Sequence, residues 1–236
     1  MMNIEDEVDN NSIQNFQIIP IMPEAMGVFH IAKEKHLEFK IKIEQILNTA
    51  DDKYRGHHQS KRESIGNDRF QNVLLDFPEL TELHSILKNT ALNFIKESGY
   101  LCDEVIITDA WINKYPFEST LPNHRHANSY ISGNYFIDYD NSINSPLVFV
   151  NDRHITSHAP SIKLEADPSK PTPYNKQVYT IVCDESMVLL WKSHLLHGVK
   201  TPEKGEGRIT LSFNVMPKVV GTGKQFSFAV SENNRV

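Results

Sequence analysis

Near residue 100 the spacing of apolar positions changes from helical to alternating. Between Pro78 and Ser98, Leu80, Leu83, Leu87, Ala91, Phe94 and Ile95 recur every three or four residues, which predicts a helix with one apolar stripe. Pro78 suits its first turn and Gly99 its C-terminal cap. An earlier charged helix is expected to run to about Leu47 and to carry Leu37, Ile41, Ile43 and Ile46. It follows a short strand in FQIIPIMPEAMGVF (16–29) that prolines stop. Between the helices, TADDKYRGHHQSKRESIGNDRFQN (49–72) is polar and aperiodic and reads as a long loop, with His57 and His58 as solvated loop histidines.

Beyond residue 100 the period is two. Strands are predicted over 104–115, 129–139, 146–150, 177–182, 187–193, 195–200, 207–216 and 225–230. Many short strands after two helices predict a mainly β protein, a sandwich or jelly roll, with the N-terminal helices packed on one sheet. No linker-like stretch divides the chain, so 1–236 reads as a single domain. Residues 1–100 form its strand-and-helix support, and 104–230 its core. The proline-rich, polar segment 151–176 interrupts the strands and reads as a lid or substrate loop, with His154 and His158 facing solvent or substrate.

Composition narrows the function classes. The formal net charge of -6 argues against a broad phosphate-binding surface, so nucleic acid is not an expected partner. No apolar run reaches membrane-spanning length, and the acidic start MMNIEDEVDNNSIQN is unlike a secretory or mitochondrial leader, so a soluble cytoplasmic protein is expected. Cys102 and Cys183, the two cysteines, suggest neither a disulfide framework nor a cysteine zinc site.

The histidines carry more. In His124-Arg125-His126 the first and third side chains of an extended segment share a face and can reach one ion. Alone, such a pair fits surface imidazoles as well as ligands; a third ligand must come from a neighbouring strand, where His197 follows the apolar run MVLLW. In the next strand Arg208, Thr210, Ser212 and Asn214 share one face, while Ile209, Leu211, Phe213 and Val215 share the other. That polar face is either solvated or the wall of a cavity, where a guanidinium with a hydroxyl two residues on makes a forked carboxylate site. Trp111, Asn113 and Tyr115 share a face of the first strand in the same way, offering an amide and a phenol.

The combination WINKY, HRHANSYISGNYFID, LLHGV and GRITLSFN resembles the Fe(II)/2-oxoglutarate-dependent oxygenases. More narrowly, it is similar to the 2OG-Fe(II) oxygenase group with an H-x-H…H metal motif, over about residues 105–216. The resemblance implies a double-stranded β-helix (jelly roll) and a dioxygenase that hydroxylates a C–H bond of a small-molecule or peptidyl substrate. Fe(II), 2-oxoglutarate and O2 are the implied cofactor and cosubstrates. It implies that His124, His126 and His197 hold iron, that Arg208 with Thr210 grips the distal carboxylate of 2-oxoglutarate, and that Asn113 and Tyr115 assist. Ser132, Asn134, Phe136, Ser212 and Asn214 would line the cavity. Two positions depart from the superfamily pattern: His126 stands where a carboxylate ligand is usual, and Phe136 where a tyrosine is usual. The alternatives are a three-histidine cupin-type dioxygenase needing no keto acid, and a non-catalytic jelly-roll binding module.

Overall fold

A computed structural model of the chain describes residues 23–57, 62–66, 71–152, 165–205, 207–221 and 227–229. Strand β1 (Met26–His30) precedes helix α1 (Lys33–Thr49), whose buried positions are His36, Phe39, Ile43 and Ile46. These fall on one stripe at about 100° per residue. Leu37 and Ile41, expected on that stripe, lie on its flank and are 50% and 57% exposed. Burial of His36 is made tolerable by a 2.7 Å hydrogen bond between its Nδ1 and the Tyr135 hydroxyl.

The predicted loop 49–72 contains structure that its sequence hides. β2 (Arg55–His57) and β3 (Glu63–Ile65) form a small hairpin there, each three residues long, too short for alternation to show. His58 lies outside the described residues, as do His154 and His158 of the 151–176 segment. A one-turn helix, α2 (Val73–Asp76), follows, capped by the Asn72 side chain. A 3-10 turn at Pro78–Leu80 then leads into α3 (Thr81–Glu97), which buries Leu83, Leu87, Ala91 and Ile95 as the spacing predicted. Gly99, at φ 85°, ends it, and the Tyr100 N–H reaches back to the Ile95 carbonyl.

The strands of the second half are β4 (Val105–Tyr115), β5 (Ile131–Asp138), β6 (Leu147–Val150), β7 (Val178–Ile181), β8 (Met187–Lys192), β9 (Leu196–Val199) and β10 (Arg208–Pro217). They form a jelly roll: a seven-stranded antiparallel sheet in the order β1-β8-β5-β10-β4-β3-β2 faces a three-stranded sheet, β7-β6-β9. The expected last strand does not join it. Among the described residues, β12 (Ser227–Ala229) pairs with β11 (Val219–Gly221), in a separate two-stranded sheet.

Alternation divides the large sheet into two faces. Ile107, Ile112, Leu211 and Phe213 pack with α1 and α3 in the main core, while Phe136, Leu189 and Trp191 meet Leu147 and Phe149 of the small sheet. The cavity described below opens on this second face. At the sheet centre, Gly133 makes room for the Phe213 ring, which a Cβ there would meet at 2.3 Å. Gly133→Ala should therefore cost about 1–3 kcal/mol through overpacking; urea unfolding against the parent protein measures it, and an unchanged midpoint would contradict this packing.

Candidate functional site

The segment 121–126 runs antiparallel beside β9. The His124 N–H donates to the His197 carbonyl at 2.8 Å, the His197 N–H returns the bond at 3.0 Å, and the Val199 N–H reaches the Leu121 carbonyl at 3.1 Å. Gly198 permits this approach, since a Cβ there would lie 2.5 Å from Asn123 Oδ1 and 2.9 Å from the Leu121 carbonyl oxygen. Further along, the His126 N–H donates to the Ser193 carbonyl. The intervening Arg125 pins the segment from outside, bonding the His194 carbonyl through Nε and ion-pairing with Asp152.

These constraints bring three imidazoles together. Ring centroids are 4.4 Å apart for His124 and His197, 5.2 Å for His124 and His126, and 5.3 Å for His126 and His197. One nitrogen from each lies within 4.8 Å of the others. Nδ1 of His124 bonds the Pro122 carbonyl and Nδ1 of His197 the Leu195 carbonyl, both at 2.8 Å. A carbonyl only accepts, so each Nδ1 carries the proton and each Nε2 keeps its lone pair. Burial pushes the His197 pKa down to about 3, with the neighbouring His124 adding to the effect. Burial likewise lowers His124, helped by Arg62, and lowers His126, helped by His124. Three neutral nitrogen donors facing one point fit a divalent transition metal. Trp111 stacks on His126 at 5.9 Å, and Trp191 meets His197 edge-on at 4.9 Å.

Below the histidines the predicted polar faces meet across three strands. Register places Thr210 opposite Asn113 and Phe136, Ser212 opposite Trp111 and Asn134, and Asn214 opposite Asp109 and Ser132. Asn113 Nδ2 donates to Ser212 Oγ at 3.2 Å, and Ser212 Oγ donates to Asn134 Oδ1 at 2.9 Å. In a second row Asn214 Nδ2 donates to Asp109 Oδ2 at 2.6 Å, while its Oδ1 accepts from Ser129 and Ser132. Ser132, Asn134 and Ser212 line the cavity with the three histidines, both tryptophans, Tyr115 and Arg208. Asn113, Thr210, Asn214 and Phe136 are buried in the same rows.

Arg208 closes the cavity. Its guanidinium lies 4.5 Å from the Tyr115 ring centroid and 5.7 Å from those of Phe136 and Tyr139, an aromatic surround favourable to a buried cation. Phe136 serves as one wall, without the hydroxyl a tyrosine would bring. Nη1 pairs with Glu203 Oε1 at 2.6 Å, and the two side chains are 1% and 0% exposed. Glu203 Oε2 accepts from the Ser145 N–H and from Asn144 Nδ2. Arg208 Nε and Thr210 Oγ1 are buried with no hydrogen-bond partner among the described residues. Both can donate, so the closed end of the cavity fits a carboxylate.

Sequence reasoning missed three residues here: Glu203, Tyr139 and Arg62. Glu203 sits in the turn before β10 and Arg62 in the aperiodic 49–72 segment, where no periodicity marks a side chain as inward. Tyr139, directly after β5, was readable only as the end of a strand.

Residues 109–214 match the family model described as "Putative 2OG-Fe(II) oxygenase". Over these residues the chain is similar to the 2OG-Fe(II) oxygenase family. Solved structures of similar fold include HygX from Streptomyces hygroscopicus with nickel, 2-oxoglutarate and hygromycin B bound, at 14% identity and TM-score 0.55, covering 82% of this chain and 83% of that one. Another is the non-heme alpha ketoglutarate dependent epimerase SnoN from nogalamycin biosynthesis, at 9% identity and TM-score 0.61, covering 89% and 82%. The apoform of EctD from S. alaskensis aligns at 13% identity and TM-score 0.59, covering 82% and 73%. Among curated proteins none matches the chain. No described helix of the chain is long and apolar enough to cross a membrane.

The buried pair at Arg208 generates a stability prediction. Glu203→Ala would strand a desolvated guanidinium and remove the acceptor of Asn144 and Ser145. The expected loss is about 3–5 kcal/mol, read by denaturant unfolding; a loss under ~1 kcal/mol would show that water replaces the carboxylate.

Proposed function

We propose that this chain is an iron- and 2-oxoglutarate-dependent hydroxylase in which His124, His126 and His197 hold Fe(II). The observation carrying the reading is the convergence of three neutral imidazoles, two of them with Nδ1 already committed to backbone carbonyls. Bound iron and 2-oxoglutarate supply the oxidising chemistry, in which O2 and the keto acid yield succinate, CO2 and one oxygen atom inserted into a substrate C–H bond.

The chain's own residues bind and orient. Arg208, fixed by Glu203, presents Nε beside Thr210 Oγ1 to the distal carboxylate of 2-oxoglutarate, while Asn113 and Tyr115 shape the pocket around it. Trp111 and Trp191 hold the imidazole planes and keep water from the ligand side. The 1–100 region acts as a support for the 104–230 jelly roll, in one domain working in the cytoplasm. The substrate is a small molecule or a peptidyl group, and nucleic acid is not a partner. The replacement of a carboxylate by His126 also suits a cupin-type dioxygenase without keto acid, a reading that succinate release tells apart.

Two substitutions test the assignment. His197→Ala should abolish tight Fe(II) binding in anaerobic calorimetry, and retained affinity would sink the metal site. Arg208→Lys keeps the charge beside Glu203 but loses the planar fork, so the 2-oxoglutarate KM should rise about 10- to 100-fold. An unchanged KM would place the cosubstrate elsewhere.

A further inference from the structure

Tyr115 carries a guanidinium on each side. Arg208 approaches from β10, with its guanidinium carbon 4.5 Å from the ring centroid; Arg62 approaches at 5.9 Å from just before β3, the strand paired with the other edge of β4. Both line the cavity, with His124, His126 and His197. Their electrostatic circumstances differ. Glu203 compensates the charge of Arg208. Among the described residues no carboxylate lies within ion-pair distance of Arg62, whose Nε is buried without a hydrogen-bond partner.

The rest of the wall accentuates the imbalance. Its lining residues include no Asp or Glu, and Trp191 Nε1, another donor on that wall, is also buried without a partner. Charge counting on the oxygenase reading then leaves an excess. Divalent iron offsets doubly anionic 2-oxoglutarate, Glu203 offsets Arg208, and three imidazoles add nothing; Asp109 is engaged by Asn214 and is not among the lining residues, so no carboxylate of the lining faces Arg62. Arg62 is half-buried, and a guanidinium whose Nε is buried without a partner is costly; a carboxylate is the bidentate partner its geometry matches.

We propose that Arg62 is a second carboxylate-binding residue of this cavity, and that the substrate is an acid whose carboxylate pairs with Arg62. The inference rests on the oxygenase reading for its charge count. The carboxylate could come from the substrate or from 2-oxoglutarate. The substrate is favoured because the Arg208 end already offers one carboxylate two unpartnered donors, Nε and Thr210 Oγ1. The Arg62 backbone also lies across β4 from β10, two strand spacings or roughly 10 Å away.

The chain's two tryptophans, Trp111 and Trp191, both line this cavity, so intrinsic fluorescence reports its occupancy without turnover. The protein is loaded anaerobically with Mn(II) and saturating 2-oxoglutarate, then titrated with a panel of N-acetyl-L-amino acids and the matching primary amides, which differ in the carboxylate alone. The acids should bind at least about 10-fold more tightly than their amides. Arg62→Gln should erase that preference, and Arg62→Lys should keep part of it. Equal binding of acid and amide by the parent protein, binding of neither, or a preference that survives Arg62→Gln overturns the proposal. So does an Arg62→Gln effect confined to 2-oxoglutarate affinity, which would assign the residue to the cosubstrate. A separate titration of Mn(II)-loaded parent protein with 2-oxoglutarate reads the oxygenase assignment alone. If it fails while the acid preference holds, the cosubstrate reading falls and the carboxylate site stands.

Discussion

The exchange of backbone hydrogen bonds between His124 and His197 joins a loop to the small sheet, and the spacing of all three imidazoles follows from it. Residues 121–126 have no strand of their own, so their position is set by the edge they lie against. Gly198 lets that edge come close, Arg125 fastens the segment on its outer side, and the two-residue period then turns His124 and His126 to the same point. Nothing about the three side chains alone would gather them. Desolvated neutral imidazoles gain little from one another, and their convergence is imposed by the backbone.

The large sheet performs two tasks through one alternation. β10 shows this most clearly: Ile209, Leu211, Phe213 and Val215 join the core with the helices, while Arg208, Thr210, Ser212 and Asn214 stand on the opposite face. The helices therefore reach the site indirectly, by packing against the core face of the sheet from which it projects. A buried guanidinium such as Arg208 would be expensive on that inner face by itself. Glu203, the aromatic rings of Tyr115, Phe136 and Tyr139, and the Ser145 carbonyl at 3.3 Å together offset its desolvation and fix its orientation.

What the sequence made legible follows the length of each signal. α3, with a four-turn stripe, and the long strand β10 show their period over enough residues to be recognised, while β6 and β8 were readable as short apolar runs. On α1 the apolar count misled, because His36 occupies a buried place through its bond to Tyr135 while Leu37 and Ile41 face outward. β2 and β3 are too short for any period to appear. The His124, His126 and His197 cluster was readable as spacing plus strand context. Glu203 and Arg62 were not, because their inward direction is decided by turns and an edge hairpin, which bring distant residues together without leaving a pattern. Sequence periodicity reports which face a residue takes within an element, and these two residues lie between elements.

Charge in the site is consequently arranged by irregular segments around a regular frame. Where the superfamily usually places a ligating carboxylate, this chain has His126, yet a carboxylate remains nearby: Asp109 accepts from Asn214, and its charge works against the lowering of the His126 pKa by burial. A negative charge held near an imidazole, outside the set of nitrogen donors, tunes the ring's basicity without replacing it as a donor. Arg208 is balanced directly, by Glu203 from a turn. Neither Asp109 nor Glu203 is among the residues that line the cavity, so its lining holds no carboxylate. A cavity walled by donors and neutral nitrogens, with its own anions held outside it, would favour ligands that bring negative charge with them and disfavour cations.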